Sequence, residues 1–124
     1  MTEATLTRKA TDVCAKVMHG CVILKHADKA SAGHPDTSIT WVGNTLWIEF
    51  KHADPSFKSQ GIQELTCTRL ALHGRCVYVI FDSPRDKITI LAPKDLGKWP
   101  KAGVSCSGFD FQWLAEQIQT RLLQ

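Results

Sequence analysis

The run CVYVIFD at 76–82 limits the possible folds more than any other stretch of the chain. It is almost wholly apolar and built from β-branched and aromatic residues, which favours a strand. A strand with no polar side has to be covered on both faces, so this one belongs at the centre of a layered sheet. The chain around it supplies the layers. Residues 3 to about 19 read as a helix, with Leu6, Ala10, Val13, Val17 and Met18 at helical spacing, Thr2 as cap and Gly20 as stop. CVILKH at 21–26 reads as a short strand, and 27–35 as a loop of small residues.

DTSITW at 36–41 and TLWIEFK at 45–51 read as two strands joined through Val42-Gly43-Asn44, with the turn centred near Gly43-Asn44. A loop at 52–59 leads to a helix at 60–74 that ends at Gly74. After the central strand come a short alternating strand at 87–91 and a loop at 92–108 with two prolines and three glycines. A last helix follows from about 110 to 122, with Phe111, Leu114, Ile118 and Leu122 on one stripe. The order α-β-β-β-α-β-β-α predicts an α/β fold, a sheet of mixed direction flanked by helices. At 124 residues the chain is expected to form one domain, residues 1–124.

No apolar run approaches the length of a membrane span, and the N-terminal stretch MTEATLTRKATD lacks the apolar segment of a signal peptide. The expected location is therefore intracellular, in the cytoplasm. The formal charge of +3 is too small to indicate nucleic acid by itself. The five cysteines are odd in number and show no CxxC spacing, so neither zinc nor a disulfide framework follows. Cys14, Cys21, Cys67 and Cys76 lie in apolar surroundings and are expected to pack as small hydrophobes.

The polar residues of the hairpin carry the chemistry. Leu46, Ile48 and Phe50 share one side of the second strand, and Thr45, Trp47, Glu49 and Lys51 share the other. Antiparallel pairing brings Asp36 across from Lys51 or a neighbour, within reach of Glu49. Two carboxylates with a nearby carbonyl suit Mg²⁺ or Mn²⁺, which bind few protein ligands and keep several waters. An ammonium beside them can orient a water and offset charge on a phosphoryl group. The bland alternative is that Glu49 and Lys51 form a solvated pair on an open sheet face.

HPD at 34–36 followed by EFK at 49–51 resembles the PD-(D/E)xK nuclease superfamily, marked by Pro-Asp and then (Asp/Glu)-x-Lys on a hairpin. The following FKSQGIQELTCTRLALHGRCVYVIFD is similar to the VRR-Nuc family, where a glutamine-bearing helix ends at a glycine before an apolar strand. The resemblance covers residues 3 to about 82 and implies a restriction-endonuclease-like core, α-β-β-β-α-β, with the last strand and helix added to it. It implies that Asp36, Glu49 and the Phe50 carbonyl hold Mg²⁺, with Mn²⁺ as a substitute. Lys51 would position the water, while Glu3 and Gln63 complete the site. Gln60 competes with Gln63 for that place, and Lys25 matches a basic residue before the Pro-Asp loop. His34 departs from the pattern, where a small or apolar residue is usual.

The implied activity is endonucleolytic cleavage of DNA with a preference for Holliday junctions or flaps, carried out by a homodimer because paired incision needs two copies. The dimer interface is sought on the stripe from Phe111 to Leu122 or on the exposed side of the first helix. Candidate DNA contacts are Lys25, His34, Lys58, Lys98, Trp99 and Lys101. Stand-alone modules of this family occur in phage genomes, which suggests a phage origin by analogy. The competing reading is a module of nuclease fold that binds nucleic acid without cutting it.

Overall fold

The computed structural model describes residues 1–26, 35–53 and 75–124. Helix α1 spans Glu3–Val17, and strands β1 to β3 span Val22–Lys25, Thr37–Trp41 and Asn44–Ala53. Strands β4 and β5 are Cys76–Asp82 and Lys87–Leu91. A 3-10 turn at Pro93–Lys98, a short β6 at Val104–Ser105 and helix α2 at Phe111–Leu122 complete them. The strands form one mixed sheet in the order β1-β2-β3-β4-β5-β6. Only the β3–β4 pair is parallel; the other four pairs run antiparallel. The expected α/β architecture is therefore present, and β4 is buried along its whole length, as its apolar run requires. The helix expected at 60–74 lies outside the described residues.

Both described helices cover the same sheet face. Leu6, Ala10 and Cys14 of α1, with its cap residue Met18, meet Leu114, Ile118 and Leu122 of α2 over Ile39, Leu46, Ile48, Phe50 and Val79. Burying each of the Leu, Ile, Met, Phe and Val side chains among them contributes about 1.5–3 kcal/mol. Thr2 caps α1 as expected and Asp110 caps α2, while α1 ends at Val17, ahead of the expected stop at Gly20. Thr2 Oγ1 accepts the Thr5 N–H at 3.2 Å, and the Asp110 carboxylate accepts the Trp113 N–H at 2.9 Å. The stripe of α2 is spent inside this core, with Leu114, Ile118 and Leu122 fully buried, so it cannot serve as a dimer interface. The opposite face holds a smaller cluster of Tyr78, Ile80, Leu91 and Leu96, flanked by Trp47 and Trp99.

The hairpin differs from its sequence reading by one position. Trp41 pairs with Asn44, so Val42 and Gly43 are the two turn residues, and both have positive φ, 48° and 82°. That is the left-handed connection whose twist matches paired strands. Asn44 is occupied elsewhere: its side-chain amide donates to the Leu122 carbonyl at 2.6 Å, capping the end of α2. Arg75 donates to the carbonyls of Arg121 and Gln124 at the same end.

The stretch 92–108 is more ordered than a loop. The 3-10 turn buries Leu96, and β6 pairs Val104 with Ile90 and Ser105 with Thr89. Elements this short leave no periodicity to read. Gly103 has φ 94°, and a Cβ there would stand 2.6 Å from the Ile90 carbonyl oxygen. Only glycine lets the chain approach β5 so closely.

Candidate active site

The hairpin register sets the site. Thr37 pairs with Ile48, so the next step outward brings Asp36 beside Glu49 rather than Lys51. The β1–β2 ladder ends where the His26 N–H donates to the Asp36 carbonyl at 2.7 Å. His26, Asp36 and Glu49 are thus neighbours across three strands, and alternation places them on the face opposite the two helices.

Asp36 donates its N–H to Glu49 Oε1 at 3.0 Å. Its carboxylate accepts the Thr37 hydroxyl at 2.9 Å and the Phe50 N–H. Lys51 Nζ stands 3.2 Å from Glu49 Oε2. Glu49 is 3% exposed, which rules out a solvated pair on an open face.

Burial is the first cause that raises the Glu49 pKa to about 7; repulsion from Asp36 adds to it, and Lys51 works against it. The Asp36 pKa is also raised, first by burial and further by Glu3, against the hydrogen bonds from Thr37 and Phe50.

Glu3, in the first turn of α1, accepts the His52 N–H on its Oε1 at 2.9 Å. The helix start is thereby joined to β3 one residue beyond Lys51. The His52 ring turns away and meets Ser83 Oγ at 2.6 Å. An open cavity of about 330 Å³ lies between the start of α1 and the ends of β1 and β2, and Glu3, Lys25, His26 and Asp36 help to line it. Glu3, Lys25, Asp36, Glu49 and Lys51 are therefore brought to one end of the sheet.

The other sequence candidates fall elsewhere. His34, Lys58, Gln60 and Gln63 lie outside the described residues. Lys98 and Lys101 are exposed around the 3-10 turn. Trp99 between them is half-buried against the second apolar cluster, with the Arg85 guanidinium 5.4 Å from its ring centre. His26 was not picked out from the sequence. Its ring lies 4.7 Å from Trp47, with Nε2 2.8 Å from Ser38 Oγ. Only the β1–β2 register, invisible in a four-residue strand, reveals that it borders Asp36.

Among the described residues, no group of three or more His, Cys, Asp or Glu side chains surrounds a metal position. The donors present are two carboxylates and one main-chain carbonyl. The Phe50 N–H points to Asp36, and a strand residue directs its N–H and C=O to the same edge, so its carbonyl faces that way too. One more step of the register sets Pro35 opposite Phe50, and proline has no N–H to offer that carbonyl. A buried acid and a half-buried one that repel each other beside a carbonyl fit a hard divalent cation, which would relieve the repulsion.

No protein-family model matches the sequence, and no curated protein is significantly similar to it. Solved structures are similar. A VRR_NUC domain aligns over 80% of this chain and 94% of its own, with TM-score 0.51 and 19% identity. Hjc, a Holliday junction resolvase from the archaeal hyperthermophile Archaeoglobus fulgidus, aligns over 88% of this chain and 98% of its own, with TM-score 0.54 and 14% identity. The chain has the fold of the PD-(D/E)xK nuclease superfamily, to which both of these structures belong.

Proposed function

We propose that the chain is a divalent-metal-dependent endonuclease that hydrolyses DNA phosphodiester bonds at branched structures, Holliday junctions or flaps, as a homodimer. One observation carries the reading. The buried Glu49 carboxylate joins the Asp36 N–H on one oxygen to Lys51 on the other, so the Pro-Asp and Glu-x-Lys segments meet at one point. The fold shared with a VRR_NUC domain and a junction resolvase supports it.

In this reading Asp36, Glu49 and the Phe50 carbonyl hold Mg²⁺ or Mn²⁺. The bound cation supplies Lewis acidity that makes water easier to deprotonate and offsets charge on the phosphoryl oxygens. Lys51 orients the attacking water from beside Glu49 and stabilises the charge that builds up at phosphorus. Glu3 fixes the end of β3 through the His52 N–H, and Gln63, with Gln60 as its competitor, completes the site on sequence grounds. Lys25 offers a cation to the strand that enters the cavity. His34, Lys58, Lys98 and Lys101 are further candidates for contact with DNA. Residues 1–124 act as one nuclease domain, and a two-fold pair of them provides two sites for paired incision. The protein works inside the cell, with a phage origin proposed by analogy alone. None of the described helices is long and apolar enough to cross a membrane.

The test is incubation of the purified chain with four-way junction, flap, linear duplex and single-stranded DNA in Mg²⁺ or Mn²⁺, with solution mass measured in parallel. Branched DNA should be cut by the wild type and not by Lys51→Ala or Asp36→Asn. Cleavage that survives both substitutions overturns the site. Metal-independent binding without cleavage of any substrate identifies a binding module instead.

A further inference from the structure

Beyond Lys51 the same sheet face carries a second polar group. The parallel register sets Glu49 beside Tyr78, Lys51 beside Ile80 and Ala53 beside Asp82, so Asp82 shares the face of Glu49 and Lys51. It lies one strand over and two residues further, roughly 7 Å along the strand direction. Asp82 is fully buried. Its Oδ1 accepts the Arg85 N–H and its Oδ2 the Arg85 guanidinium, both at 3.2 Å. The guanidinium lies over the Trp99 ring, yet the Arg85 side chain is 48% exposed.

Two bonds fix the turn that carries Arg85 to the site strand. The Ser83 N–H donates to the Ala53 carbonyl at 3.1 Å, and Ser83 Oγ meets the His52 ring. Lys87 is the register partner of Asp82, while Lys98 and Lys101 flank Trp99 in sequence.

We propose that Arg85 is an anchor for a backbone phosphate of the DNA strand that runs past Lys51. Neutralising Asp82 needs only one cation, and a lysine would do it. A planar guanidinium held from one side by a carboxylate and across its face by an indole is oriented in advance, with its outer N–H groups turned to solvent. That arrangement suits a phosphate and loses little side-chain entropy when one binds. Asp82 and Trp99 are positioning residues that act through Arg85. Trp99 thus serves DNA binding by aiming a cation, with its ring face taken up by Arg85. The inference rests on the nuclease reading only in taking DNA as the ligand.

The experiment measures anisotropy of labelled duplex and four-way junction over a series of salt concentrations, with Ca²⁺ in place of Mg²⁺ to suppress cleavage. The variants are Arg85→Gln, which keeps a donor for Asp82, and Arg85→Met combined with Asp82→Asn, which leaves no unpaired buried charge. Both should bind roughly three- to tenfold more weakly near 0.1 M salt, and the slope of log affinity against log salt should shrink by about one. Arg85→Gln should retain wild-type kcat in Mg²⁺ with a raised KM. A folded variant with wild-type affinity and slope overturns the anchor, even if the wild type cuts DNA. A wild type that cuts nothing but binds DNA with this dependence on Arg85 overturns the nuclease reading and leaves the anchor standing. A wild type that binds no DNA overturns both.

Discussion

Glu49 accepts the main-chain N–H of Asp36 at 3.0 Å across the hairpin, so one acid of the site orients the backbone that presents the other. Burial of Glu49, with repulsion from the Asp36 carboxylate beside it, raises the Glu49 pKa to about 7 against that hydrogen bond and Lys51. The stability of the metal-free protein should therefore depend on pH. A carboxyl group protonated more readily in the folded state than in the unfolded one stabilises the fold fully below its unfolded pKa of 4.5, and that contribution fades as pH rises through about 7. The loss amounts to about 3 kcal/mol. Chemical denaturation in EDTA at pH 5 and pH 8 should show it, and Glu49→Gln should abolish most of the difference. An unchanged difference in the variant would disprove the assignment.

Metal binding should show the opposite pH trend. A cation needs Asp36 and Glu49 ionised, so it competes with the proton that burial favours. Mg²⁺ or Mn²⁺ should raise Tm more at pH 8 than at pH 5.5, and Asp36→Asn should remove the effect. At a hundredfold excess over Kd the gain is about 2.7 kcal/mol. Equal shifts at both pH values, or shifts retained in the variant, would place the cation elsewhere.

Lys51 separates chemistry from binding. Its ammonium belongs to the Glu49 corner and is only partly exposed. Lys51→Ala should lower kcat on a cleavable junction by roughly 10²–10³, the scale on which one charge-stabilising donor acts. Affinity measured in Ca²⁺ should stay within about threefold. A matched fall in affinity would make Lys51 a simple phosphate contact.

Two backbone positions predict stability changes of opposite sign. Val42 is β-branched and exposed, yet sits at φ 48° in the hairpin turn. Val42→Asn or Val42→Gly should relieve that strain and stabilise the protein by about 1 kcal/mol. Gly103→Ala would force a Cβ against the Ile90 carbonyl at 2.6 Å and should destabilise by about 1–3 kcal/mol. Urea midpoints for the three variants test both, and a stabilised Gly103→Ala would mean that β6 can move away at little cost.

The features legible in the sequence were those written in repeated patterns. The apolar run of β4, the spacing along α2 and the alternation in β3 each place several residues at once. Those patterns also put Glu49 and Lys51 on one face. What escaped was fixed by single long-range contacts. That Asp36 meets Glu49 rather than Lys51 depends on a shift of one turn residue. The place of His26 beside Asp36 depends on a register set by four pairs. The place of Glu3 beside the end of β3 depends on one hydrogen bond that spans 49 residues, which no local pattern encodes.

The Asn44 amide on the Leu122 carbonyl has a consequence for the hairpin as a whole. Sliding β2 by two residues against β3 would leave every inward side chain facing inward, because side chains alternate with a period of two. Hydrophobic burial cannot tell these two alignments apart, and a turn at Gly43-Asn44 would produce the second. That second alignment would set Asp36 against Lys51 and leave Glu49 without its neighbour. Asn44 breaks the tie: in the alternative alignment its amide would sit in the turn, and the Leu122 carbonyl at the end of α2 would lose its side-chain donor. The terminal helix thereby acts as a ruler for a pair of strands distant in sequence, and the spacing of the two acids is measured from it.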